Sequence, residues 1–422
     1  MLPMQQRLSK FFYAVISLPA TAMGFALCIQ ISALSWLLST KYHLDIHEIG
    51  VVWAAGPTAG ILGQMIIGLI SDGSWFWGGR RRPFILIGGA LAALSVFLLP
   101  RIDAVASLLG ISNLLVVAVM VALTLDISIN ISFNPTRSLI ADLTPEGDAR
   151  TRGYTWMQTI SGFWGVMAYL IGAFIDNYAL ISVGVVVVLA FSVLPMFFVQ
   201  EPRELVPAEA AAATRTDWPQ LLRIFVAHGC TWLGVQSMFV YIIAFIQQHI
   251  VAPGSADAAA QSGHVIAISF AVMNVAGFIL PALVLAPLVA RFGRVRVHAA
   301  CVAIAAAAYF CIALYARTPA MLYVLMAVVG IGWAAVVSLP FAIMSEKVDR
   351  SRMGFFMGLF NLSVVLPQLL SIQVGFILKD AADKGILFTI CGACLACSAV
   401  LWWAVSDKKT NTAPAARTTA IH

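Results

Sequence analysis

Apolar residues along the chain come in blocks of about twenty, broken by short polar connections. Twelve blocks are readable, with cores near 11–38, 49–70, 84–100, 114–136, 154–175, 179–199, 224–246, 264–289, 297–316, 320–344, 353–378 and 385–405. At about 1.5 Å per residue, a block of this length crosses the ~30 Å hydrocarbon layer of a bilayer as an α-helix. Helices are expected because a backbone in lipid must satisfy its own hydrogen bonds. The first block follows MLPMQQRLSK and imitates a signal peptide, but it is a full spanning length and reads as a retained membrane helix.

Composition changes the first estimate from length. The 422 residues would suit two or three soluble domains, yet 61% are hydrophobic and 10% charged, with mean hydropathy +0.93. Lipid is then the solvent for most of the surface, and the chain is expected to be an integral plasma membrane protein of a bacterial inner membrane. The net charge of +6 follows topology rather than a nucleic-acid partner. With the N-terminus inside, only Lys41, Arg101, Arg317, Lys379 and Lys384 of the 25 basic residues fall outside, and both termini are cytoplasmic. The seven cysteines lie in apolar segments and read as small buried hydrophobes; Cys391, Cys394 and Cys397 lack a nearby histidine or acid to complete a metal site.

The longest polar connection, QEPRELVPAEAAAATRTDWPQLLR at 200–223, divides the chain into a six-helix bundle over 1–199 and another over 224–406, with a tail at 407–422. ADLTPEGDARTRGYTW after the fourth helix is echoed by SEKVDRSRMGFFM after the tenth. GLISDGSWFWGGRRRPF after the second is echoed by PLVARFGRVRV after the eighth. Parallel repeats of six helices are the expected fold: all-α and polytopic, with two bundles.

One acid breaks the pattern. Of 19 acidic residues, Asp126 alone sits deep in a span, about 18 Å from the outer end of the fourth helix. An ionised carboxylate there costs about 2.5–3.5 kcal/mol on insertion scales. Removal from water disfavours the charged form, so such a group can exchange a proton as its access to water changes. Asn130 and Asn134 follow at four-residue spacing and Arg137 three further on, a polar stripe that is expected to avoid lipid. Amides in that stripe can bond hydroxyl-rich ligands, or glue helix four to a neighbour. Gln30, Gln64 and Gln158 are further candidates for contact with cargo, with helix packing as the alternative for each. At the cytoplasmic ends, Asp72, Arg80, Arg81 and Arg82 form a charged turn. With Arg137, Asp142, Glu146 and Glu346 it suggests a latch whose pairs break and form as two halves rock.

GFALCIQISALSWLL, GPTAGILGQMIIGLISD, GRRRPFI and LDISIN…NPTRSLIADL together resemble the sucrose–proton symporters of plants and their bacterial and animal relatives. These belong to the glycoside–pentoside–hexuronide cation symporter group of the major facilitator superfamily. The resemblance covers most of residues 20–175 and is loose beyond. It implies the major facilitator fold, with Asp126 in the position of the family's proton-binding, sugar-contacting carboxylate and Asn130 in that of its neighbouring amide. FIQQHI at the end of helix seven departs from the acidic residue that relatives carry there.

The expected function is proton-coupled symport of a disaccharide, sucrose or maltose-like, by alternating access. The alternative is proton-driven efflux of small amphipathic compounds. Partners are a small-molecule sugar, the proton and the lipid bilayer; the chain is expected to be monomeric and to carry no cofactor. No nucleophile–base pair, HExxH-type pair or phosphate loop is present, so an enzyme is not expected.

Overall fold

The computed structural model describes residues 3–60, 70, 74–145, 148–203, 216–252, 255, 257–348 and 353–406. Among these there is no strand, only an isolated bridge between Phe76 and Gly79. Eleven helices are long and apolar enough to cross a membrane. They are α1 (Lys10–Thr40), α3 (Arg82–Leu98), α4 (Leu114–Leu143), α5 (Asp148–Phe174), α6 (Asn177–Val193), α7 (Trp218–His249), α8 (Ala258–Leu280), α9 (Arg294–Tyr315), α10 (Pro319–Ser345), α11 (Met353–Leu370 and, past Ser371, Ile372–Asp380) and α12 (Ile386–Trp403). The remaining expected helix, α2, is described at one end as Ile46–Trp53 and 55–60.

The connections carry the start signals. Ser9, Asp45, Asn113, Asp176, Asp217 and Thr318 each place a side-chain oxygen on the first free backbone N–H groups of the following helix. Asp45 and Glu48 close a reciprocal capping box. The third helix runs past its expected end, through Leu99–Arg101 into Ile102–Leu109, and stops at Gly110 with φ 67°. Arg101 and Asp103 end the apolar run there without ending the helix.

The two bundles repeat one packing scheme. In the first, α1 packs on α5 and α6, and α3 on α4 and α6; in the second, α7 packs on α11 and α12, and α9 on α10 and α12. Every pair is matched by the pair six helices later, as the sequence echoes require. Between bundles, α5 meets α8 and the end of α2 meets Ile372–Asp380 of α11.

The core is not uniform along the helix axes. At the end that bears Arg80–Arg82, here the basic end, each bundle has its own cluster. Phe12, Ile16, Ile85, Leu139 and Met196 form one; Leu221, Ile224, Val295, Phe356 and Trp402 form the other. Toward the opposite, far end, one cluster joins both bundles, with Phe25, Trp36 and Leu125 in common packing with Phe239, Phe270 and Phe388. The halves are joined at the far end and have separate cores at the basic end.

Candidate functional site

Asp126 lies mid-way along α4 and is buried, 5% exposed. Its Oδ2 accepts a hydrogen bond of 3.0 Å from Nε2 of Gln30, also buried. Among the described residues no cation pairs with it. Two backbone features make the contact. Gln30 opens a π-helical turn, Gln30–Leu34, which takes up one extra residue within α1. Gly56 stands against the carboxylate: a Cβ there would lie 3.3 Å from Oδ1. The site is thus a carboxyl held between an amide on α1 and bare backbone just past the break in α2.

The polar stripe on α4 is graded. Asn130 is buried, and its Nδ2 donates to the Asp126 backbone carbonyl at 2.8 Å rather than to the carboxylate. Asn134 is half-buried and Arg137 exposed, its guanidinium 4.2 Å from the Phe133 ring centroid. Gln158 is exposed on α5, and the Asp126 carboxylate is bonded by Gln30 instead. Gln64, Asp72 and Glu146 lie outside the described residues.

From Asp126 toward the far end, successive turns bridge the bundles. Ser35 Oγ donates to the Val240 carbonyl at 2.9 Å and accepts from Trp53 Nε1 at 2.8 Å. Trp36 Nε1 donates to the Ala259 carbonyl at 2.6 Å, and Gln247 Nε2 to Ser39 Oγ at 3.1 Å. Gly50 and Gly375 both abut the Tyr241 hydroxyl, where a Cβ would collide. Outermost, Lys379 Nζ lies 2.8 Å from Asp45 Oδ2, and the His47 ring lies 3.7 Å from Phe376. Burial opposes ionisation of Asp45, but the Lys379 hydrogen bond and charge and the Glu48 backbone N–H outweigh it, holding this carboxyl below its ordinary range.

At the basic end the charged turn is held within its own bundle. Arg81 Nε pairs with Asp142 Oδ2 at 3.0 Å, both side chains nearly buried. Glu346 pairs with Arg294, in the second bundle, not with the first-bundle arginines. The two pairs occupy equivalent positions: a basic residue opening α3 or α9, an acid closing α4 or α10.

Three features escape sequence reading. Glu201, just past α6, accepts the backbone N–H groups of Arg80, Arg81 and Arg82 at 2.8, 2.8 and 2.7 Å. It fills the anion-binding start of α3, and Gly79 is the residue that admits it, since a Cβ would collide with the carboxylate. His228 and His298 are buried in the second bundle. His228 Nε2 accepts from Trp232 Nε1 at 2.9 Å and its ring stacks on Phe360 at 4.9 Å, while His298 meets Trp402 edge-on. Isolated histidines and a loop glutamate carry no spacing signal, so only the tertiary structure assigns them partners.

A family model described as Major Facilitator Superfamily matches residues 16–372. The general alpha-glucoside permease of Schizosaccharomyces pombe is 33% identical over 128 residues, 29% of this chain and 23% of that protein. Sucrose transport protein SUC4 of Arabidopsis thaliana is 28% identical over 196 residues, 43% of this chain and 36% of that protein. These matches span about a third or less of the curated relatives. A crystal structure of a D-xylose–proton symporter superposes with TM-score 0.72 at 15% identity, over 96% of this chain and 100% of that one. Nucleoside transporter NupG gives 0.68 at 14%, over 93% and 98%. Those structures establish the fold.

Proposed function

Since this chain belongs to the Major Facilitator Superfamily and is a membrane transporter, we propose that it carries a disaccharide, sucrose or maltose-like, in symport with a proton. Asp126 is the proton acceptor, and Gln30 and Asn130 supply amides to sugar hydroxyls. The observation that carries this reading is a buried carboxyl whose partner is a neutral amide. A permanent ion pair would hold Asp126 ionised; a neutral partner lets it change charge as the site opens and closes. The likeness to an alpha-glucoside permease and a sucrose transport protein supports the cargo class.

We place the basic end in the cytoplasm of a plasma membrane, on the excess of Lys and Arg there, with a boundary between bundles at 200–223. The conformation is then shut outside and parted inside. In the outward-open state Asp126 takes a proton and sugar displaces water at Asn130. The neutral, loaded site lets the outer seal at Ser35, Trp36 and Tyr241 close. Cytoplasmic water then recovers the proton, and the sugar leaves. Asp72, Arg80, Arg81, Arg82, Arg137, Asp142 and Glu346 serve the inner latch; Gln64, Gln158 and Asn134 extend the sugar-facing wall. The working unit is a monomer.

Radiolabelled sucrose and maltose offered to vesicles under an imposed pH gradient test this reading. Accumulation should collapse with an uncoupler and in Asp126→Asn, which should still exchange sugar down its gradient. Uptake indifferent to both would refute it. Second-bundle aromatics, with Trp232 6.1 Å from Trp333 and Phe239 5.5 Å from Trp333, favour amphipathic cargo as the alternative. Proton-driven extrusion of such a compound, uncompeted by sugars, would select efflux.

A further inference from the structure

On the outer side of the shut seal the two bundles border an open groove of about 1260 Å³. It is lined by α1 near its outer end, the α5–α6 turn, the start of α8 and the start of α10. Trp36 and Tyr178 meet there edge-on, centroids 5.4 Å apart, and Tyr323 adds a third ring from the second bundle. Gly263 brings α8 against this wall: a Cβ would lie 3.0 Å from Trp36 Nε1 and 2.6 Å from Asn177 Nδ2. Asn177 is 2% exposed, its Oδ1 lies 3.5 Å from Ser32 Oγ, and among the described residues its Nδ2 has no partner. Such a buried donor is uncommon in a native structure.

The charges on the lining are already committed. Asp176 caps α6, accepting from the Ala179 N–H at 2.6 Å. Lys41 bonds the Pro100 carbonyl and lies 3.7 Å from Asp103. His264 also lines the groove, with its Nδ1 2.6 Å from the Ala173 carbonyl. What remains is aromatic faces, amides and hydroxyls, with apolar side chains between them. That combination recognises a ring bearing hydroxyls on one part and an apolar group on another.

We propose that this groove is an outer regulatory site for a neutral glycoside with an apolar aglycone, and that its occupant holds the transporter shut outside. The groove takes this form only while α1 and the α5–α6 turn meet the start of α8, on which α10 packs. A ligand that touches both sides therefore favours the outward-closed state by its difference in affinity for the two states. The inference rests on the alternating-access reading and its orientation, but not on the role of Asp126.

The test uses the full chain in lipid nanodiscs and tritiated phenyl β-glucoside. Saturable binding is expected, weakened about tenfold by Tyr178→Ala and within about threefold of wild type in Tyr178→Phe, which keeps the ring. Tyr178 is 44% exposed, so the truncation spares the core. Asp126→Asn should bind like wild type, which separates this site from the cargo site. Saturating ligand should also slow amide exchange in Ile372–Asp380, which seals the outer end but does not line the groove, by about fivefold or more. Binding that never saturates, or that survives Tyr178→Ala and is lost in Asp126→Asn, would overturn the site. Unchanged exchange in Ile372–Asp380 would overturn its regulatory role.

Discussion

The two bundles share a scaffold and differ in what they place at its centre. Counted back from the paired acids Asp142 and Glu346, Asp126 corresponds to Gly330; counted forward from the helix caps Ser9 and Asp217, Gln30 corresponds to Met238. Gly330 sits against the Met273 backbone carbonyl, where a Cβ would be 2.8 Å away, and Met238 is fully buried. Equivalent positions thus hold a carboxyl–amide pair in one half and a tight helix crossing in the other. The scaffold repeats because packing and end-capping constrain it in both halves alike. At the centre packing imposes no such likeness, and a second buried acid would add its own desolvation cost.

The largest break in that comparison should come from Asp126→Asn. Gradient-driven accumulation should fall by on the order of a hundredfold or more while equilibrium exchange persists, consistent with losing a step rather than a fold. Next, Arg81→Ala strips one partner from a nearly buried ion pair and should cost about 3–5 kcal/mol, read as a lower unfolding temperature. The same change at Arg294, whose side chain is 41% exposed, should cost distinctly less; equal losses would undo the claim that the first of these ion pairs is the buried one. Third, Gly330→Ala should destabilise by about 1–3 kcal/mol through overpacking. Gly56→Ala, 3.3 Å from the Asp126 carboxylate, should instead lower uptake with little change in melting.

The smallest effect is expected at the far end. Asp45→Asn loosens a half-exposed, solvent-screened pair and should leave the unfolding temperature almost unchanged. Because the Asp45 carboxyl sits below its ordinary range in the fold, its contribution is present above that range and fades as pH falls through the lowered value. Far-end amide protection factors should therefore be flat across neutral pH and fall only in strong acid.

Much of this was legible in the chain. Apolar runs and the placement of Lys and Arg give the helices and their likeness in pairs, because lipid imposes length and the polar ends impose sign. Asp126 stood out because nothing else charged lies so deep. Choosing Gln30 among three glutamines required the π turn, which leaves no trace in hydropathy. Asn130 was readable as polar and interior, but its bond to a carbonyl on its own helix is a local competition that spacing alone cannot resolve. Glu201 was hidden for a different reason: its partners are backbone N–H groups some 120 positions earlier, and backbone has no sequence signature. The reach of α3 past residue 100 was masked by two charges at its end.

The π turn at Gln30–Leu34 also works as a register absorber. It takes up one extra residue within a single turn, so deleting a residue there would return α1 to regular geometry with the positions beyond it still facing as they do. A residue inserted beyond Leu34, in regular helix, has no such turn to absorb it and would swing Ser35, Trp36 and Ser39 by roughly 100° away from Val240, Ala259 and Gln247. Such an insertion is thus a way to uncouple the two ends of one helix, leaving the Gln30–Asp126 bond in place and the far-end contacts out of step.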